Sequence, residues 1–274
     1  MNWFFFKFTQ NKNQYNMKTV KLFGALLFTM IMSAQSESVI NFTYYDIPAD
    51  KIGKFLQLHK QMADYQLGEE RKLRGQYLYR HYYGSGASVL IQDNYASAED
   101  AVNDDEWVHF REKWQAASEE EREKMGAIAQ EYISFRNGHW DEMRSVDWER
   151  NHKTSEGHNW DSNWIMVIGE YNSSGNYQEM GDAFNEWQTI PQVESGLMMA
   201  GGYTWHLYGS GSDLQFYSAY PTMMDFAKSL ESTSDNSEAR KKFWSMVKGS
   251  HTDQIYVHVG HIQDGKYNPA GPNN

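Results

Sequence analysis

The sequence predicts an α+β protein in which one βαββαβ unit occurs twice in tandem. Three observations predict it. The chain resembles itself at an offset of 125 residues, both halves run through strand-like and helix-like segments in the same order, and both carry a Gly-Ser-Gly turn between two aromatic-rich runs.

The repeat is visible residue by residue. Tyr77–Gly86 lines up with Gly202–Gly211, placing His81 on His206 and Tyr83 on Tyr208. The same offset puts Val39–Tyr45 on Trp164–Glu170, Tyr95 on Tyr220 and Asp100 on Asp225. His139 matches His251 at an offset of 112, so the first repeat carries an insertion of 13 residues between Tyr95 and His139. The acidic stretch Ser118–Lys124 is the expected insertion, because Ser118 followed by Glu121 is a capping-box start for a helix.

Each unit opens on a strand (Val39–Tyr45; Trp164–Glu170) and continues into a helix (about Ala49–Tyr65; about Tyr177–Thr189). Two alternating strands follow, Gln76–Tyr83 with Ala87–Asn94 and Gly202–Tyr208 with Ser212–Ala219, joined as hairpins by the turns. Trp107, Phe110 and Trp114 recur at helical spacing, as do Phe226 and Leu230. A last strand closes each unit, about Trp140–Val146 and Gln254–Ile262. The organisation expected is therefore repeat 1 over 35–147, a polar linker over 148–163, repeat 2 over 164–264, and a disordered tail over 265–274.

Such a unit is the ferredoxin-like arrangement, with two helices on one face of a four-stranded sheet. The other face is bare, and two such sheets facing one another bury both. On this topology and repeat, over most of Val39–Gln263, the chain resembles the dimeric α+β barrel superfamily, in particular its members with two fused repeats. The resemblance implies two antiparallel sheets packed face to face as an intramolecular barrel. That superfamily includes cofactor-independent monooxygenases, small stress-response barrels and haem enzymes. No diagnostic motif of any one family is present, so no catalytic residue carries over. A proximal histidine on a helix cannot be placed, and the expectation is no cofactor, haem included.

Residues 1–34 read as an address. Met17–Lys21 is basic, Leu22–Met32 is apolar and Ser33–Ser36 is small and polar, the pattern of a secretory signal peptide. Met17 resembles an ordinary start, with Met1–Asn16 an over-extension. A periplasmic or secreted location is expected, with no membrane anchor after cleavage. The first 34 residues hold four lysines and no acid, so 21 basic and 36 acidic side chains remain beyond them, a net charge of −15. Nucleic acid and anionic lipid need a basic face and are excluded as partners. The absence of cysteine removes thiolate nucleophiles, disulfides and thiolate-bound metals.

Strand alternation sorts the faces. Val89, Ile91, Leu214, Phe216, Ile255, Val257 and Val259 belong under the helices. The opposite faces present a pocket set: Tyr79, His81, Tyr83, Gln92, Tyr208, Gln215, Tyr217 and Tyr256 as binding residues, with His206 and His258 as acid/base or donor groups. His258 and His261, three apart on one strand, are expected on opposite faces and so cannot share a metal. His152, His158 and Asp161 form only a loose cluster, and no metal site is expected. His139 and His251, each two residues before an aspartate, fit turn chemistry. The Gly-Ser-Gly turns lack the lysine and helix of a phosphate loop, and neither a nucleophile elbow nor a zinc-protease signature occurs. The reading that results is an exported barrel holding a small aromatic or apolar molecule; the residues leave open whether it is an enzyme, and the resemblance implies cofactor-independent oxygenation if it is. The rival is a non-catalytic interaction module whose barrel interior is packed solid.

Overall fold

A computed structural model of the chain describes residues 37–154, 157–232 and 238–272. The signal-peptide reading of residues 1–34 and the start at Met17 lie outside the described residues.

Repeat 1 runs β1 (Glu37–Tyr45), α1 (Ile52–Gln66), β2 (Gly75–Gly84), β3 (Val89–Tyr95), three helices α2 (Ala98–Asn103), α3 (Val108–Ala116) and α4 (Glu119–Ser134), then β4 (Trp140–Asp147). Alpha4 begins where the acidic stretch predicts: the Ser118 hydroxyl accepts from the backbone N–H of Glu121, and three glutamates occupy the positive first turn. The linker contains a 3-10 turn (Trp148–Arg150) and a two-residue strand, β5 (His152–Lys153).

Repeat 2 runs β6 (Ile165–Ser173), α5 (Tyr177–Phe184), a π-helical turn (Asn185–Thr189), α6 (Ile190–Glu194), β7 (Ala200–Gly209), β8 (Leu214–Tyr220), α7 (Met223–Ser232), α8 (Glu238–Met246) and β9 (Val247–Gln263). The expected tail is a correction. Lys266–Pro269 forms β10, antiparallel to β9, and Tyr267 is buried in the core of repeat 1. Gly265, at a positive φ of 70°, makes the tight turn that returns the chain onto β9.

Within each repeat the strands order as β4-β1-β3-β2 and β9-β6-β8-β7. Beta4 then pairs with β7, and β9 with β2, all antiparallel. The two sheets thus close into one eight-stranded barrel, each repeat supplying the edges that the other needs. The helices cover the outside. Val89 and Ile91 pack beneath those of repeat 1, and Leu214 and Phe216 beneath those of repeat 2, as the alternation predicts. Ile40, Phe42, Tyr79, Leu90, Trp164, Ile168 and Tyr256 fill the space between the sheets.

One-residue bulges break the alternation at three places, beside a wider irregularity in the β6–β9 pairing between Glu170 and Asn172. On β2, His81 pairs with Tyr256 and Tyr83 with Ile255, so Tyr82 is an extra residue. On β7, Arg144 pairs with His206 and Met143 with Tyr208, so Leu207 is extra at the position 125 residues on. On β9, Val259 is extra between the pairs Leu78–Gly260 and Tyr79–His258. Each one-residue bulge moves everything beyond it to the other face.

Candidate functional site

A cavity of about 560 Å³ lies between the sheets. Its walls are apolar and aromatic: Ile40, Phe42, Tyr77, Tyr79, Trp164, Met166, Ile168 and Tyr217. A few polar groups converge on it. The Tyr79 hydroxyl donates to Gln92 Oε1 (3.1 Å), whose amide nitrogen donates to Asn94 (3.0 Å). The Gln215 amide donates to the Tyr44 hydroxyl (3.3 Å). Linker residues Trp148, Asn151, His152, Lys153 and Trp160 also line the cavity, and among the described residues Lys153 is the one lining side chain of fixed charge. Burial pushes the Tyr79 and Tyr217 phenols up, so both remain protonated donors at neutral pH.

Buried polar side chains fill the opposite end, where the hairpin turns lie. Arg144, fully buried, donates to Glu142, to Thr204 Oγ1 (2.7 Å) and to the Ser212 carbonyl (3.1 Å). Tyr44 donates to the other Glu142 oxygen (3.3 Å). Desolvation raises the Glu142 carboxyl and Arg144 opposes it. The equivalent position in the other repeat carries Tyr256, whose hydroxyl donates to Gln254 (2.8 Å).

Of the sequence-predicted residues, Tyr79, Gln92, Gln215 and Tyr217 line this cavity together. Tyr256 lies in the packed layer beneath, with the His81 ring edge-on against it at 5.6 Å. Tyr83 and Tyr208 are not brought in. They are 72% and 76% exposed, because the Tyr82 and Leu207 bulges turn them outward. His206 is also a correction. It lies two residues beyond Thr204, where β7 ceases to line the cavity, and its Nε2 is 3.1 Å from the Gly209 carbonyl.

His258 lies behind the wall, stacked on Trp164 with centroids 4.8 Å apart. Its Nδ1 faces the Ser162 carbonyl at 2.8 Å, which fixes the proton on that nitrogen. Burial lowers its pKa to about 4. The expectation that His258 and His261 point apart is overturned: the Val259 bulge brings their rings into a stack, centroids 5.4 Å apart. His261 lines the cavity, has Asp161 3.3 Å from its Nε2, and keeps an unpartnered Nδ1.

Sequence reasoning missed a second cavity, of about 400 Å³, between the sheet and the helices of repeat 1. It contains His59, Gln76, Asp93 and Tyr132, joined in one chain of hydrogen bonds. The signal was in the repeat, since the 125-residue offset puts His59 opposite Phe184 and Asp93 opposite Ser218. His59 is a buried histidine on a helix, the place where a haem ligand would be sought. Its Nδ1 is bonded to the Tyr132 hydroxyl (2.9 Å) and its Nε2 to Gln76 Oε1 (2.7 Å). With both nitrogens engaged, the residue does not fit an axial ligand.

No protein-family model matches the sequence, and no curated protein matches it. Solved structures do share the fold. An anthrone oxidase-like protein superposes with a TM-score of 0.52 at 15% identity, over 85% of this chain and 94% of the other. A proposed monooxygenase from Fusobacterium nucleatum gives 0.55 at 9% identity, over 84% and 96%. Another, from Lactobacillus acidophilus, gives 0.50 at 8%, over 85% and 97%. At these identities the likeness is one of fold, an α+β barrel with ferredoxin-like halves.

Proposed function

We propose that the protein binds a small, uncharged aromatic or apolar molecule between its two sheets. The observation that carries this is the aromatic-walled cavity of about 560 Å³ between the sheets, lined in part by the linker. A void of several hundred Å³ with a few fixed polar groups suits a small ligand, whereas an interaction module would fill that space at ordinary core density. A charged ligand would lose its hydration there and, among the described residues, find only Lys153 in return. The fold shared with proteins described as monooxygenases and as anthrone oxidase-like supports oxygenation of the bound molecule as the chemistry. The basic-apolar-small pattern of residues 17–34 supports export.

The test is a titration with N-phenyl-1-naphthylamine, a neutral aromatic fluorophore, beside native mass spectrometry of the purified protein. Saturable one-site binding is expected, abolished by Ala219→Phe, which fills the cavity from β8. A wild-type protein that neither binds the probe nor carries a ligand defeats the reading. Oxygen uptake in the presence of a captured ligand then separates enzyme from carrier.

A further inference from the structure

We infer that repeat 1 carries a second ligand site, between its sheet and its helices, suited to a small protonated amine that also bears an acceptor oxygen. This cavity lies on the other side of the sheet from the first: on β3, Gln92 faces the barrel and Asp93 faces the helices.

Charge decides the class of ligand. Asp93, Asp104, Glu106 and Asp141 line the space, against two guanidinium groups. Both of those are taken. Arg71 grips Asp104 through Nε (3.0 Å) and Nη2 (2.8 Å), and Arg136 pairs with Glu106. Asp93 accepts from a neutral partner, the Gln76 amide (2.6 Å). Asp141 accepts from the Thr43 hydroxyl (2.6 Å), with His139 Nε2 3.4 Å away. The carboxylate surplus favours a cation, and Tyr45, Tyr95 and Tyr132 border the same space. An anion would meet repulsion and two guanidinium groups already paired.

A second observation is independent of charge. Gln66, at the end of α1, is buried, lines the same space, and has an amide nitrogen without a hydrogen-bond partner. Buried donors are rarely left so, and an oxygen on the ligand would satisfy this one.

The scaffold around Asp93 is fixed. Tyr132 donates to His59 Nδ1, His59 Nε2–H donates to Gln76 Oε1, and Gln76 is thereby obliged to turn its NH₂ toward Asp93. Burial lowers His59 to about 4, consistent with the neutral ring this order requires. Repeat 2 has no such chain at the equivalent place. Phe184 stands where His59 would be and packs on Phe216, centroids 4.2 Å apart.

Burial raises the Asp93 carboxyl to about 7, with Gln76 and Arg71 acting against it and Glu106 and Asp104 with it. Arg136, Tyr95 and the neutral His59–Tyr132 pair complete its surroundings. An ammonium group needs the ionised carboxylate, so affinity should rise as pH passes 7.

The experiment is calorimetric titration of the intact protein with ethanolamine, and with propionate as the anionic counterpart, at pH 6 and pH 8. Ethanolamine should bind saturably and roughly tenfold more tightly at pH 8, the ratio of ionised Asp93 at those two values. Asp93→Asn should abolish binding and Gln66→Leu weaken it, each with an unchanged circular dichroism spectrum, while Ala219→Phe in the other cavity should have no effect. Absence of ethanolamine binding, preference for propionate, or binding that survives Asp93→Asn would each overturn the proposal. Should Asp93→Asn fail to fold, a Gln66→Leu protein that binds ethanolamine as wild type does would overturn it as well.

Discussion

Arg144 and Tyr256 hold the same place in the two repeats, one 112 residues after the other, and each bonds the side chain two positions before it on its own strand. The turn glycines fit this layer. A Cβ at Gly211 would lie 2.0 Å from Glu142 Oε1, and one at Gly86 would lie 2.4 Å from Gln254 Oε1. A charged pair closes one half of the barrel end and a neutral pair the other.

Arg144→Met should therefore destabilise the fold by about 3–5 kcal/mol, because Glu142 is left buried without its counter-ion. The double change Arg144→Tyr with Glu142→Gln copies the pair of repeat 2 and should recover much of that loss. Urea unfolding of the two variants checks both statements.

Tyr217→Ala should weaken N-phenyl-1-naphthylamine binding by about tenfold, the loss of one aromatic wall, with little change in the probe's stoichiometry. His206→Ala, Tyr83→Ala and Tyr208→Ala should leave it unchanged, since none of the three lines the cavity. Fluorescence titration of the four variants distinguishes wall from rim.

Asp93 and His59 should tilt the pH dependence of stability in opposite senses. The Asp93 carboxyl is raised from 3.8 to about 7 on folding, so its contribution is complete below pH 4 and is lost as pH climbs to 7. His59 is lowered from 6.5 to about 4, so its contribution is present above 6.5 and is lost as pH falls toward 4. Asp93→Asn removes the first contribution and leaves the second, so thermal melts of the variant should show stability rising more steeply between pH 4 and 7 than melts of the wild type.

His258→Phe keeps a ring against Trp164 but removes the bond to the Ser162 carbonyl. A loss of about 1 kcal/mol is expected, together with faster amide exchange over residues 159–164. Hydrogen-exchange mass spectrometry reads this directly.

The architecture was legible because a duplicated sequence repeats its own punctuation. The paired Gly-Ser-Gly turns and the alternation in Val89–Asn94 placed Gln92, Gln215 and Tyr217 on the inner face, where they line the cavity. What failed was alternation carried past a bulge. Nothing in Tyr82, Leu207 or Val259 announces an extra residue, and each reversed the assignment of its neighbours: Tyr83, Tyr208 and His261. The tail was misread for another reason. Its polar, proline-containing composition hides the one residue, Tyr267, whose burial holds it in place. The helix-side cavity was missed, and the one trace of it in the sequence is His59 aligned with Phe184, a difference between the copies rather than a likeness.

Closure of the barrel within one chain also governs what would happen if the repeats were produced as separate polypeptides. Each half would be left with two long unsatisfied edges, β2 and β4 in one and β7 and β9 in the other. The intact ring conceals all four, and the outermost strand it does present, β10, is four residues long and ends in Pro269. Complementary halves mixed together should reassemble, and either half alone should self-associate, so fusion here guards against aggregation as well as ensuring one-to-one pairing.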